Sequence, residues 1–386
     1  MIDIEVPPHY AGREQAFVKH HFLRNYLERL IHKIASAYDE VVYVDGYSGP
    51  WKSGGEAYAD TSFGIALQSM TDARQSWLDM PQHWRNVRMT AHLVEKQTQP
   101  FAELETIGTL FPHATVHPYR GDFLNVAPQI AARIPSRAFT FSLIDPKGFK
   151  LDLEALRPLL ARPQSEVVFN FMFDFANRFT TLASLGDVYD RLLPGIDWRP
   201  RIASADAAGP TERKAAFLAC FKEAVKLVGG YKYVADVDIR YPGTNRTFYF
   251  LVYGTREPPG IAVFRDCQIK ALEAQSMISG QRSLQRRETA GQGSLFDSSW
   301  ETAPVTHRQF LDDQRQAAKQ SLLHIAETEP GSRWGKVWPR LLADHAIRKT
   351  DAGAIAAALK KSGEIGFTGW AANKRVPSDD YQLLAT

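Results

Sequence analysis

Apolar residues along this chain follow two periods, and each predicts a different element. Phe17, Leu23, Tyr26, Leu27, Leu30, Ile31 and Ile34 recur at helical spacing, predicting an amphipathic helix within residues 7–37. Its other side carries Arg13, Lys19, His20, His21, Arg24 and Arg29. Short, continuous apolar runs bounded by turn residues predict strands at Val41–Val44, Val87–Val94, Thr115–His117, Ala138–Ile144 and Val167–Phe173. Helical patterns begin near Ser62 and again at Glu212–Val228, with loop composition between Pro200 and Thr211. Tyr231–Arg240 and Arg246–Tyr253 read as two more strands. Their connection, Tyr241 to Asn245, is too short for a crossover helix, so the two run antiparallel.

A helix over Ile261–Met277 follows, then a stretch rich in Gly, Gln, Ser and Arg that reads as a linker. Beyond it are helical patterns near His307–Thr328, Trp334–Ala346 and Thr350–Lys361, the last capped by Thr350 or Asp351. A hairpin-like pair, Gly363–Phe367 and Tyr381–Leu384, encloses Trp370, Lys374 and Arg375. The expected organisation is a doubly wound α/β domain over 1–279, a linker over 280–303 and a small α+β domain over 304–386. A parallel sheet closed by an antiparallel hairpin is more typical of a methyltransferase core than of a dehydrogenase. Three helices with a two-stranded tail are the order of a winged helix-turn-helix, in which Lys374 and Arg375 would touch nucleic acid.

Composition narrows this little. With 44% hydrophobic and 23% charged residues the chain is ordinary for a globular protein, and a net charge of +3 permits a nucleic-acid partner without requiring one. Two cysteines, Cys220 and Cys267, exclude a disulfide framework and a cysteine-rich zinc site; both are expected as buried thiols. No long apolar run and no signal-peptide pattern at the start point to the cytoplasm.

The candidate chemistry lies where the strands end. Asp45, Gly46, Tyr47, Ser48, Gly49 and Pro50 follow the first strand, forming either an ordinary strand-turn or a close approach to a cofactor in the crevice beyond the sheet. Glu95 at the tip of the second strand stands where such folds hold a ribose hydroxyl; it also suits a helix start. After the third strand, Asp122 would accept from an adenine amino group while Phe123 packs on the ring, or Gly121-Asp122 is a plain turn. Asp145-Pro146-Lys147-Gly148-Phe149 ends the fourth strand. Asp145 and a rigid carbonyl from the Pro146 neighbourhood can accept the hydrogens of a target amine, in the manner of the Asp-Pro-Pro-Tyr motif of amino-methyltransferases. Lys147 replaces the second proline and Gly148 the aromatic, with Phe149 one place later. Lys147 would hold a phosphate or lie on the surface.

Tyr10-Ala11-Gly12, Ala16-Phe17-Val18-Lys19-His20 and Tyr43-Val44-Asp45-Gly46-Tyr47-Ser48-Gly49 resemble the start of the RlmJ-type ribosomal RNA adenine-N6 methyltransferases. With Ile144-Asp145-Pro146-Lys147-Gly148 and Lys374-Arg375-Val376-Pro377 added, the chain resembles the three-Cys-motif partner (TcmP) family over most of its length. That family commonly has an aromatic where Lys147 stands. The resemblance implies a Rossmann-like methyltransferase core with a C-terminal winged helix, a three-cysteine partner protein, and a mobile-element or phage-defence setting. It further implies S-adenosylmethionine contacts from His20 and Tyr47, a pocket wall completed by Lys19, Asp45 and Gly49, ribose on Glu95, adenine on Asp122 and the target amine on Asp145, with no metal.

Gln292-Gly293-Ser294-Leu295-Phe296 resembles the short peptides that dock on the DNA-polymerase sliding clamp, or else packs the linker through Leu295 and Phe296. The expected function is S-adenosylmethionine-dependent methylation of an amine of a nucleic-acid base. The alternative is an inert protein of the same fold that binds nucleic acid or the partner. A nucleotide-dependent oxidoreductase is disfavoured because the first turn lacks the Gly-x-Gly-x-x-Gly spacing.

Overall fold

A computed structural model of the chain describes residues 6–49, 56–81, 84–146, 148, 151–172, 182–241, 244, 246–289, 307–371 and 373–385. Two compact units divide the chain: Met1–Tyr241 with Arg246–Arg256, and Pro242–Asn245 with Glu257–Thr386.

In the first unit, seven strands form one sheet: β1 (Glu40–Asp45), β2 (Arg88–Glu95), β3 (Thr115–Arg120), β4 (Phe139–Ile144), β5 (Ser165–Phe171), β6 (Tyr233–Arg240) and β7 (Thr247–Thr255). Their spatial order is β3-β2-β1-β4-β5-β7-β6. β1 pairs in parallel with β2 and β4, so Asp45 lies beside Leu93 on one side and Leu143 on the other. β7 inserts between β5 and β6 and runs antiparallel to both. The direction in which strands are added reverses at β1 and β4, which opens a crevice beyond their carboxyl ends.

Helices cover both faces: α1 (Glu14–Ala35), α2 (Ser62–Leu78), α3 (Thr98–Thr106), α4 (Phe123–Arg133), α5 (Leu153–Leu160), α6 (Leu182–Leu192), α7 (Trp198–Ala208) and α8 (Pro210–Gly229). Alternation along β1 and β5 decides what each face receives. Val42, Val44, Phe169 and Phe171 join a core with Phe123, Leu156, Trp198 and Phe221. Tyr43 points the other way: its ring and that of Tyr26 from α1 both pack on Phe141. The apolar side of α1 is buried as its periodicity predicts, with Phe22, Leu23, Tyr26 and Leu27 fully covered.

Several boundaries differ from the sequence expectation. The loop expected over Pro200–Thr211 is mostly α7, because its alanine-rich stretch favours helix and Trp198 and Ile202 bury one side of it. β3 runs on to Arg120, through Pro118, which an edge strand tolerates. A helix not expected from periodicity, α4, starts at Phe123 with Asp122 as its cap. β5 begins two residues early and ends at Phe171.

The second unit contains α9 (Pro258–Thr289), α10 (His307–Thr328), α11 (Trp334–Asp344), α12 (Lys349–Ser362) and an antiparallel pair, β8 (Ile365–Thr368) and β9 (Gln382–Ala385). α9 continues past Gly280 to Thr289, so the first part of the expected linker is helical; its Gln, Arg, Leu and Glu residues are good helix formers. Cys267 lies inside this helix, and both cysteines are buried free thiols. The guanidinium of buried Arg265 donates to the carbonyls of Leu342 (2.6 Å) and Ala343 (3.1 Å), fastening the end of α11 to α9. α12 is capped at Arg348 rather than at Thr350 or Asp351; Asp351 reaches back to accept the Arg348 N–H at 2.9 Å. No helix among the described residues is long and apolar enough to cross a membrane.

Candidate functional site

A cavity of about 800 Å³ opens beyond the carboxyl ends of the parallel strands. Its wall takes in Lys19 and His20 from α1, Gly46, Tyr47 and Gly49 after β1, Glu95 at the end of β2, Asp122 and Phe123 after β3, and Asp145 and Pro146 after β4. These residues are scattered over 128 positions of sequence, and parallel pairing is what gathers them. Asp45 lies just behind the wall, fully buried. Lys147 and Phe149 lie outside the described residues, as do Gln292, Leu295 and Phe296. Lys374 and Arg375 are exposed and belong to the second unit.

The turn after β1 is held by its own acid. Asp45 accepts from the Tyr43 hydroxyl at 2.9 Å and from the Tyr47 N–H at 3.0 Å, and the Ser48 hydroxyl donates to the Asp45 carbonyl at 3.0 Å. Burial pushes the Asp45 carboxyl up to about 6, opposed by those two donors. Gly46 is required by close approach, since a side chain there would meet the Phe123 ring at 2.6 Å. Phe123 in turn meets Tyr47 edge-on, with ring centroids 5.7 Å apart. The two carboxylates expected at the nucleoside end also organise backbone. Glu95 accepts the Gln97 N–H at 2.6 Å, and Asp122 caps α4 through the Leu124 N–H at 3.2 Å while its other oxygen meets Lys96 at 3.2 Å.

Asp145 has two partners that no strand-end argument predicted. Lys19 Nζ donates to Oδ2 at 2.7 Å, and Asn170 Nδ2 donates to Oδ1 at 2.5 Å. Lys19 was expected in the pocket wall; its ion pair with Asp145, across 126 positions, is a product of the fold. Asn170 escaped notice, although a polar residue amid the apolar run of β5 was a signal. It is 7% exposed, and its Oδ1 has no hydrogen-bond partner among the described residues. A carboxylate offers about four acceptor directions. Two donors therefore fix the Asp145 plane and leave it able to accept a further N–H.

His20 is 8% exposed and shares a hydrogen bond of 2.9 Å between its Nδ1 and the Tyr10 hydroxyl. Burial, helped by the Lys19 charge, holds its imidazole well below the ordinary histidine range, so it meets the cavity as a neutral ring. Arg13, Asp60 and Arg191 also line the cavity and were not singled out as site residues from the sequence. Asp60 precedes a helix in a stretch with no recognisable pattern; only the packing of α2 beside α1 brings it here.

No protein-family model matches the chain, and no curated protein matches it in sequence. Among solved structures it is similar to a DUF574 family protein from Streptomyces avermitilis, with 14% identity over 66% of this chain and 93% of that one and a TM-score of 0.32. It is also similar to a precorrin-6y C5,15-methyltransferase from Geobacter metallireducens, with 13% identity, 58% and 86% coverage, and a TM-score of 0.26. A third is an O-methyltransferase of neocarzinostatin biosynthesis in complex with S-adenosylmethionine, with 14% identity, 57% and 50% coverage, and a TM-score of 0.25. The strand order and pairing of this chain are those of the Rossmann-like class I methyltransferase fold.

Proposed function

We propose that this chain is an S-adenosylmethionine-dependent methyltransferase acting on an amine of a nucleic-acid base, with the second unit serving as a winged helix that engages the nucleic acid. A three-cysteine partner protein belongs to the same proposal. The observation that carries it is the gathering of Asp145 and Pro146 with Glu95, Asp122 and the Gly46–Gly49 turn around one cavity at the switch point of the sheet.

The donor set suits the cofactor. Glu95 would accept from ribose hydroxyls, Asp122 from an adenine amino group, and the backbone around Gly46 and Gly49 allows close approach. When bound, S-adenosylmethionine supplies an electrophilic methyl group on a sulfonium. The chain's own contribution is positioning: Asp145, oriented by Lys19 and Asn170, accepts an N–H of the target amine and holds its lone pair in line with the methyl carbon. An ion-paired carboxylate of this kind orients and stabilises developing positive charge on nitrogen.

Calorimetric titration with S-adenosylmethionine, with NAD as control, should show binding that weakens at least roughly tenfold in Glu95→Ala, as expected for a lost charged hydrogen-bond acceptor. Asp145→Ala should retain that binding and lose transfer of labelled methyl groups to DNA or RNA. Methyl transfer undiminished in Asp145→Ala would refute the assigned role. Two observations favour a second reading, an inert binding protein: both Asp145 oxygens are already engaged from within the chain, and Gly148 stands where amino-methyltransferases have a stacking aromatic. Under that reading the cofactor binds but no nucleic acid is methylated.

A further inference from the structure

Four cationic side chains among the described residues line the cavity, and three of them are engaged within the chain. Lys19 is held by Asp145 at 2.7 Å and Lys96 by Asp122 at 3.2 Å, while Arg13 donates to the His9 carbonyl at 2.9 Å and stands 3.8 Å from Asp60. The fourth is Arg191, in the last turn of α6. It is exposed and has no hydrogen-bond or ion-pair partner among the described residues. The acid beside it in sequence does not neutralise it: Asp190 accepts from both terminal guanidinium nitrogens of Arg199, at 2.9 and 2.8 Å, and from the Trp198 indole N–H at 2.9 Å. Those contacts also tie α6 to α7. Tyr189 and Leu192 are buried beneath Arg191, with the Tyr189 ring edge-on to Trp198 at 5.1 Å and to Phe217 at 4.9 Å. Arg191 is therefore an uncompensated cation presented to the cavity by a firmly seated helix.

We infer that Arg191 binds a phosphodiester of the nucleic-acid substrate, next to the nucleotide whose base enters the cavity. This rests on the base-methylation reading above. A base reaches such a cavity only out of its stack, and its sugar and phosphates then stay at the mouth. A guanidinium offers a planar fork of donors that matches two phosphate oxygens, and an arginine without an internal partner has that fork available. The acids given to the nucleoside, Glu95 and Asp122, follow β2 and β3, whereas α6 follows β5, a strand on the opposite side of the switch point. Asp152, which lines the cavity after β4, caps α5 through the Ala155 N–H at 3.1 Å and forms no ion pair with Arg191.

The test measures transfer of labelled methyl groups from S-adenosylmethionine to pooled DNA and to pooled RNA by the full chain at several salt concentrations, with calorimetry of S-adenosylmethionine alongside. Arg191→Gln, at an exposed position that does not threaten folding, should raise KM for the polymer by roughly three- to tenfold, the scale of one charged hydrogen bond, and by more than it lowers kcat. The slope of log kcat/KM against log salt should flatten by about 0.7–0.9, the loss of one phosphate contact. Arg191→Lys keeps the charge and should restore that slope. Both effects in whichever pool accepts the label support the assignment. Unchanged KM and slope in Arg191→Gln, or affinity for S-adenosylmethionine lowered by roughly tenfold or more, overturns it and leaves the methyltransferase reading standing. No transfer by the wild-type chain to either pool overturns the base-methylation reading, and this inference with it.

Discussion

Asp45 shows what a single buried residue costs and what it supplies. Its side chain has no solvent, two donors and a carboxyl pushed up to about 6. A folded-state value above the unfolded one means that the native chain binds the proton more tightly, so stability falls as pH rises from about 4 to about 6 and is level beyond. Asp45→Asn should therefore be more stable than wild type near pH 8 and lose that advantage near pH 4, by ~3 kcal/mol at most. Urea unfolding of both proteins across this range measures it. A gain independent of pH would mean that the Asp45 carboxyl is not raised in the native state. A buried acid kept despite that cost is the kind of group found at functional sites, and here it holds the turn that Gly46 and Tyr47 contribute to the cavity.

At the scale of elements, α1 is keyed to the sheet by a buried polar network as well as by apolar packing. The Tyr26 hydroxyl donates to Glu166 at 2.5 Å and approaches the Tyr253 hydroxyl at 3.0 Å, and Thr255 donates to the other Glu166 oxygen at 2.8 Å. Burial raises the Glu166 carboxyl, and these donors oppose the rise. Tyr26→Phe removes one donor from a buried carboxylate, so it should destabilise by about 1–3 kcal/mol in equilibrium unfolding. Glu166→Gln keeps an acceptor and should cost less. The network seats the helix that presents Lys19 to Asp145, about two turns from Tyr26, so an error in that seating would reach the site.

At the scale of the whole molecule, the first unit contains every described residue of the cavity and the second contains the exposed Lys374 and Arg375. If the second unit engages nucleic acid through these residues, Lys374→Gln with Arg375→Gln should lower affinity for DNA or RNA. It should also reduce the slope of log affinity against log salt by about 1.5–2, the loss of two phosphate contacts. Fluorescence anisotropy at several salt concentrations reads both effects. Titration of S-adenosylmethionine should be unchanged in that variant, because cofactor and nucleic acid would use separate units. An unchanged salt slope would move the contact surface elsewhere.

Period and punctuation in the sequence determined most of the elements and their kind. The apolar runs at Val41–Val44 and Ala138–Ile144 read as strands buried on both faces, and the Tyr241–Asn245 connection was too short to join any but antiparallel neighbours. They also determined the acids at strand ends, because a parallel sheet exposes its ligands there. Local pattern was too weak to show that Pro200–Thr211 was largely helical or that α9 outlasted its apolar stripe, since in both places helix propensity acts without periodicity. Tertiary structure alone decided the pairings. Lys19 with Asp145, Asn170 with Asp145, and Arg13 with Asp60 are each joined across tens of residues or more. Such contacts follow from which strands lie side by side and which face a helix turns inward, and no local stretch of sequence carries that information.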